Sequence, residues 1–256
     1  MDSNASKLVS LVVPFYNEKN RIDHSMESLL KFLQDNKKME IIYVDDGSSD
    51  GSMEIIKKKL QERRVSFNLP EIEFNFVKNE INQGKGAAVK NGVLASNGDY
   101  IIYTDFDFAI SLGEIKNFVD EIEKLPNQRG VVIASRRESS ALLENQSILR
   151  RFLGKVFNSF MKMIINLPIK DTQCGFKMFD RKSAFVLFPS IKINGFAFDV
   201  ELLKRAYRNK IPVVEKGVEV YFDDKHSTVN IFLDPLKMIK DLVFFRFRLL
   251  IERFVL

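Results

Sequence analysis

Residues 8–51 read LVSLVVPFYNEKNRIDHSMESLLKFLQDNKKMEIIYVDDGSSDG. The first seven of these are an apolar run of strand length that Pro14 closes. Behind it Ile22, Met26, Leu29, Leu30 and Leu33 recur at helical spacing, and residues 40–44 form a second β-branched run. Strand, amphipathic helix and strand make a crossover that joins parallel neighbours, and strands this apolar belong in a sheet covered on both faces. The unit recurs outward from here. DDGSSDG leads into a helix expected through Lys57, and residues 72–77 (IEFNFV) precede a glycine turn and a helix over 85–95. Residues 100–104 and 131–134 supply two more strands, with a helix over 112–125 between them. The expected fold class is α/β, a mainly parallel central sheet flanked by helices.

Beyond about Ser139 the alternation stops. Residues 147–166 read as a basic amphipathic helix, 171–179 as an extended or loop segment, 198–209 as a helix, 213–222 as a strand and 234–255 as a long helix. No repeat of solenoid length and no Pro/Gly/Ser-rich linker interrupts the chain. One domain over 1–256 is expected, with halves at 8–138 and 139–233 and an amphipathic C-terminal helix over 234–256.

Composition narrows the chemistry. The 256 residues carry 39 Lys+Arg against 34 Asp+Glu, a net charge of +5, with 45% hydrophobic and 29% charged residues. That is a globular balance, and too weakly basic for a nucleic-acid tail. Cys174 is the single cysteine, which excludes an internal disulfide, and His24 and His226 are the only histidines. No Cys/His zinc set exists, so any metal must be held by oxygen. The start, MDSNASKLVS, lacks the pattern of a signal peptide, and no window of about 18 apolar residues is free of charge. The cytoplasm is the expected compartment.

In an open α/β sheet the ligand lies beyond the C-terminal ends of the strands. Three such places are loaded with polar groups: PFYNE after the first strand, DDGSSDG after the second and TDFDFA after the strand at 100–104. Turn chemistry explains any one of them, but less readily all three at one edge. The first βα turn has no GxGxxG, and NQGKGAA does not meet the phosphate-loop pattern. A nucleotide held by acidic and polar side chains remains. Asp46 can accept from a base N–H or a ribose hydroxyl, while Asp105 and Asp107 can share a divalent ion that bridges a diphosphate, for which Mg²⁺ or Mn²⁺ fits.

VVPFYNE, VDDGSSDG, NQGKGAAVKNG, TDFD and DTQCGFKMF, in that order, resemble a family 2 glycosyltransferase of the GT-A fold, over roughly residues 8–245. Within that family the chain is similar to dolichyl-phosphate glucosyltransferases and their polyprenyl-phosphate relatives. The resemblance implies that Pro14, Tyr16, Asn17 and Glu18 line the base and ribose. It implies that Asp46, with Gly47, binds the base and that Lys85 reaches the nucleotide. Asp105 would face the ribose or metal, and Asp107 would be the principal metal ligand. Phe106 departs from the small residue usual between the two. Asp171, Gln173 and Lys177 of DTQCGFKMF would lie near the donor sugar and diphosphate, with Lys177 also an acceptor candidate. Cys174 has no partnered histidine and reads as a small packed residue.

A lipid-phosphate acceptor is already ionised and needs no strong base, so positioning and charge neutralisation are the expected work. Arg136 matches the family's SR position. Arg150 and Arg151 lie on a basic, aromatic-studded segment, either a surface helix or an interfacial acceptor-binding one. Asp199 borders the site in a helix-start motif, and Ser227 follows His226 in a loop that in relatives closes over the acceptor side. In the C-terminal helix Leu236, Ile239, Val243, Phe247, Leu250 and Phe254 form a stripe, with Lys237, Lys240, Arg246, Arg248 and Arg253 around it. An anionic membrane and a second copy of the chain are both open as its partner, whereas no RNA-module signature is present and nucleic acid is not expected.

The expected activity is inverting, metal-dependent transfer of a hexose, from UDP-glucose first and GDP-mannose as the alternative, onto a dolichyl or polyprenyl phosphate. The enzyme would sit peripherally on the cytoplasmic membrane face. A glycan acceptor and a nucleotide-sugar-binding protein without turnover are the competing readings.

Overall fold

The computed structural model describes residues 7–69, 72–137, 142–144, 167–221 and 233–254. The first βαβ unit is β1 (Val9–Phe15), α1 (Ile22–Asp35) and β2 (Met39–Asp45), followed by α2 (Ser52–Ser66), β3 (Glu73–Lys78), α3 (Lys85–Leu94) and β4 (Tyr100–Thr104). Next come α4 (Glu114–Glu123), β5 (Val131–Ser135), the short β6 (Leu142–Glu144) and β7 (Phe176–Asp180). The remainder is α5 (Arg181–Leu187), α6 (Phe198–Arg208), β8 (Val213–Gly217), β9 (Glu219–Tyr221) and α7 (Leu233–Phe254).

Seven strands form one sheet in the order β3-β2-β1-β4-β7-β5-β8, and β6 and β9 pair in a small second sheet. All pairs of the large sheet are parallel except those of β7, which runs antiparallel between β4 and β5. The α/β expectation therefore stands, with helices on both faces. Alternation divides the core: Leu11, Val13, Ile41, Tyr43 and Ile102 face α1, α2 and α4, while Val12, Ile42, Val44, Ile101 and Tyr103 face α3, α5, α6 and α7.

Pairing sets the functional edge. Phe15 lies opposite Asp45 and Val12 opposite Tyr103, so the polar segments after β1, β2 and β4 emerge together. Because β7 is antiparallel and Phe176 pairs with Thr104, the segment leading into β7 arrives at that edge too.

Two expectations are corrected and two are made definite. Of the segment expected as extended or loop over 171–179, residues 176–180 prove to be a central strand, in which Phe176 and Met178 face one core layer and Lys177 and Phe179 the other. α2 runs to Ser66 instead of stopping near Lys57, because Ile56 and Leu60 continue its buried face. The strand expected over 213–222 is two, β8 and β9, in different sheets. On α7 it is Met238, Leu242, Phe245 and Leu249 that pack into the core, whereas Leu236, Val243, Phe247 and Leu250 of the stripe left open to a partner are exposed. The helix expected over 147–166, with Arg150 and Arg151, and the loop bearing His226 and Ser227 lie outside the described residues.

Candidate active site

At the shared strand edge lies a cavity of about 870 Å³. Pro14, Tyr16, Asp46, Lys85, Asp105 and Asp107 line it from one side, and Gly195, Phe196 and the first half of α7 from the other. Tyr16 stands exposed at the mouth, an aromatic face of the kind a base stacks on.

The segment after β1 is stitched to the DDGSSDG loop. The backbone N–H groups of Asn17, Glu18 and Lys19 donate to Ser48 Oγ, Ser52 Oγ and Asp50 Oδ2 at 2.9, 3.0 and 3.0 Å, and Ser49 N–H returns a bond to Asn17 Oδ1. Asp46 is equally engaged: Oδ1 accepts from Asn79 Nδ2 and Gln83 N–H, and Oδ2 accepts from Gly84 N–H at 2.7 Å. Its carboxylate shapes the turn before α3 as well as the cavity wall. Gly47 has φ of 77°, and a Cβ there would lie 2.6 Å from the Ile81 carbonyl carbon, so it permits the close approach of that turn. It is not itself among the residues lining the cavity.

The TDFD turn solves its aromatic departure simply. Phe106 drops into the core against Phe15, with ring centroids 5.7 Å apart, and its carbonyl accepts from Ser25 Oγ at 2.6 Å. Asp105 and Asp107 on either side are thereby left at the cavity. Asp105 is bonded by Lys85 Nζ, and it lies so close to Gly175 that any side chain there would overlap its carboxylate. Asp107 accepts from Ala109 N–H on Oδ1 and from Arg21 on Oδ2, at 3.1 and 2.7 Å. Burial, with Asp105 beside it, raises the Asp107 carboxyl above its ordinary range. Burial also pushes Glu18 up to about 7 against the pull of Arg21. For Lys85 burial works against the ammonium, but Asp105 and Asp199 outweigh it and raise its pKa.

Among the described residues no group of three or more His, Cys, Asp and Glu is arranged to hold a metal ion. Two carboxylates of a turn still fit Mg²⁺ or Mn²⁺, since such an ion commonly takes one or two carboxylates and completes its shell with substrate phosphate oxygens and water. Asp105 and Asp107 are the residues that would hold it.

Arg136, just past β5, grips Asp171 in a fork, Nε to Oδ2 at 2.7 Å and Nη2 to Oδ1 at 2.9 Å. Despite burial, Arg136 holds the Asp171 carboxyl far below its usual range. Asp171 is thus a fixed anion that orients Arg136, with no proton to give or take near neutrality. Gln173 reaches toward Met238 Sδ on the cavity wall. Cys174 is buried, and burial pushes its thiol up to about 12, which agrees with a packed residue.

Lys177, expected near the donor sugar and diphosphate and as an acceptor candidate, and Asp199, expected either behind the site or on its acceptor side, pair with each other instead of lining the cavity. Both side chains are buried: Lys177 Nζ donates to Asp199 Oδ1 at 2.7 Å and to the Cys174 carbonyl at 2.6 Å, and Tyr103 hydroxyl also bonds Asp199. Strand alternation in β7 turns Lys177 toward Asp199 of α6, and neither side chain lines the cavity.

Residues 10–187 match the family model described as glycosyl transferase family 2. The chain belongs to that family. Curated relatives that share about a third of its residues include dolichyl-phosphate beta-glucosyltransferases of Dictyostelium discoideum, Saccharomyces cerevisiae and Homo sapiens. Their identities are 34%, 32% and 33%, over 95%, 93% and 96% of this chain and 75%, 74% and 76% of theirs. Among solved structures, glucosyl-3-phosphoglycerate synthase of Mycobacterium tuberculosis shares the fold. Its complex with UDP has a TM-score of 0.63 at 16% identity, covering 93% of this chain and 80% of that one. The same enzyme with Mn²⁺, UDP and glucosyl-3-phosphoglycerate gives 0.62 at 14%, covering 94% and 80%.

This family 2 chain also places residues at the cavity that sequence reasoning missed: Arg21, Phe196, and Asp234, Lys237, Met238 and Asp241 of α7. Burial raises the Asp241 carboxyl. The signal for α7 was available, because positions 234, 237, 238 and 241 share one face of a helix.

Proposed function

We propose that the chain transfers glucose from UDP-glucose to dolichyl phosphate, with Mg²⁺ or Mn²⁺ and with inversion at the anomeric carbon. The observation that carries this is the TDFD turn, whose two carboxylates face a cavity walled by the residues that a nucleotide diphosphate needs. The names of relatives that match nearly the whole chain, including its second half, supply the sugar and the acceptor.

The chain's own groups assign the work. Tyr16 and Pro14 bound the base side and Lys85 and Arg21 are the cations at the diphosphate, while Arg136, fixed by Asp171, follows β5 at the same sheet edge but outside the cavity lining. Bound at Asp105 and Asp107, the metal supplies neutralisation of the leaving diphosphate. An ionised acceptor phosphate oxygen forms the new bond to the anomeric carbon, the bond to UDP breaks, and its electron pair leaves with the β-phosphate. No proton has to be removed, which suits a site where Asp171 is locked in an ion pair and Cys174 keeps its proton.

Peripheral attachment to the cytoplasmic face completes the proposal. Among the described residues no helix is long and apolar enough to cross a membrane. α7 instead turns Leu236, Phe244, Phe247 and Ile251 outward, with exposed Lys237, Lys240 and Arg246 beside them.

The test is transfer of labelled sugar from UDP-glucose, UDP-galactose, UDP-N-acetylglucosamine or GDP-mannose into organic-extractable lipid, with dolichyl phosphate and with metal added or chelated. Metal-dependent glucose in the lipid phase is the expected result, and Asp107→Ala should reduce it by orders of magnitude. Near-normal turnover of that variant would remove the metal assignment, and label from another donor would replace the sugar.

A further inference from the structure

Each carboxylate of the TDFD turn is already met by a cation of the chain itself: Asp105 by Lys85 and Asp107 by Arg21. Arg21 ends a short 3-10 turn over Lys19–Arg21 and lines the cavity with its side chain only 15% exposed. Its Nη2 donates to Asp107 Oδ2 at 2.7 Å, and its Nη1 lies 3.1 Å from Glu18 Oε2. Asp107 does not depend on Arg21 for its position, because the turn holds Oδ1 through Ala109 N–H. Oδ2 is therefore the atom for which the guanidinium and a divalent cation compete.

That competition has a direction. A guanidinium cannot shed its charge near neutrality, so a metal arriving alone meets a fixed positive group on its ligand. A diphosphate arriving alone meets Lys85 and Arg21 already paired with Asp105 and Asp107, so it finds no net positive charge to set against its own. When both arrive, the diphosphate offers Arg21 a forked acceptor and the metal replaces Arg21 at Oδ2, so every charge is matched. On the metal-dependent reading above, the geometry points to Arg21 as a positioning residue that guards Asp107 in the free enzyme and passes to the donor's diphosphate, so that metal and nucleotide tighten each other's binding through it.

The test measures Mn²⁺ binding by the electron paramagnetic resonance of the free ion, with and without UDP, in the full chain and in Arg21→Gln, Arg21→Lys and Asp107→Asn. In the unaltered chain UDP should tighten Mn²⁺ by about tenfold or more, the usual scale of coupling between bound groups. Arg21→Gln should bind Mn²⁺ alone more tightly than the unaltered chain and lose most of the UDP effect. Arg21→Lys, which keeps the charge but not the fork, should retain part of it, and carries the comparison if the glutamine variant does not fold. Asp107→Asn should lose Mn²⁺ in both conditions. The inference is overturned if Arg21→Gln and Arg21→Lys keep the full coupling, or if removing the guanidinium leaves Mn²⁺ binding alone unchanged. Failure of the broader reading shows elsewhere, as absence of sugar in dolichyl phosphate while this coupling persists.

Discussion

Two buried groups make opposite demands on the fold. Lys177 and Asp199 are an ion pair almost without solvent, and removing one partner strands the other charge in the interior. Lys177→Met should destabilise the protein by about 3–5 kcal/mol, read as a large fall in the thermal midpoint. If Lys177 instead touched the acceptor, the midpoint would hold and the KM for dolichyl phosphate would rise. Glu18 acts through protons. Its carboxyl is raised from 4.5 to about 7, so across that interval the folded chain holds a proton that the unfolded chain has released. Stability therefore falls as the pH climbs from about 4.5 to about 7, and a Glu18→Gln variant should flatten that part of the profile. Denaturant midpoints over the interval check the slope; an unchanged slope in the variant would place the proton on another group.

At the scale of elements, α7 separates what periodicity can settle from what it cannot. Apolar residues stand nearly all round this helix, so the regular spacing of Leu236, Ile239, Val243 and Phe247 did not decide which face is buried. Only packing against α6 and the sheet chose Met238, Leu242, Phe245 and Leu249. Phe245→Ala should cost about 3–5 kcal/mol, whereas Phe244→Ala, one residue along and 59% exposed, should stay within about 0.5 kcal/mol. Equal losses in thermal unfolding would mean that the two faces are not distinguished as they are here. The strands of the first half were legible because their β-branched runs match the buried faces of β1, β2, β4 and β5 almost residue for residue. β7 was legible only as extended or loop, since a lysine in its middle broke the apolar run, and its ion pair with Asp199 is a long-range fact. The strand-edge wall of the cavity was legible for a similar reason: its residues follow strand ends directly, whereas Asp234 and Asp241 reach the cavity through tertiary packing of a distant helix.

For the whole molecule, the two faces of α7 meet different surroundings, one packed into the core and the other exposed. At 100° per residue, Leu236, Phe244, Phe247, Leu250 and Ile251 lie roughly opposite the buried stripe, with Lys240 among them and Lys237 and Arg246 at the flanks. That order suits an interface whose headgroups are negative and whose interior is apolar, and it would set the cavity wall formed by Asp234, Lys237, Met238 and Asp241 beside the surface where a lipid phosphate resides. The protein should cosediment with vesicles rich in an anionic lipid, less so as salt rises, because exposed charges are screened while the apolar contribution persists. Two phenylalanines inserted only in part contribute about 2 kcal/mol together, near thirtyfold in partition. Phe244→Ser with Phe247→Ser should therefore abolish most vesicle binding while leaving the thermal midpoint and UDP binding in place. If the double variant sediments with vesicles as the unaltered chain does, this face does not meet the membrane. Should it instead convert a dimer to a monomer in solution, a second copy of the chain is what covers the helix.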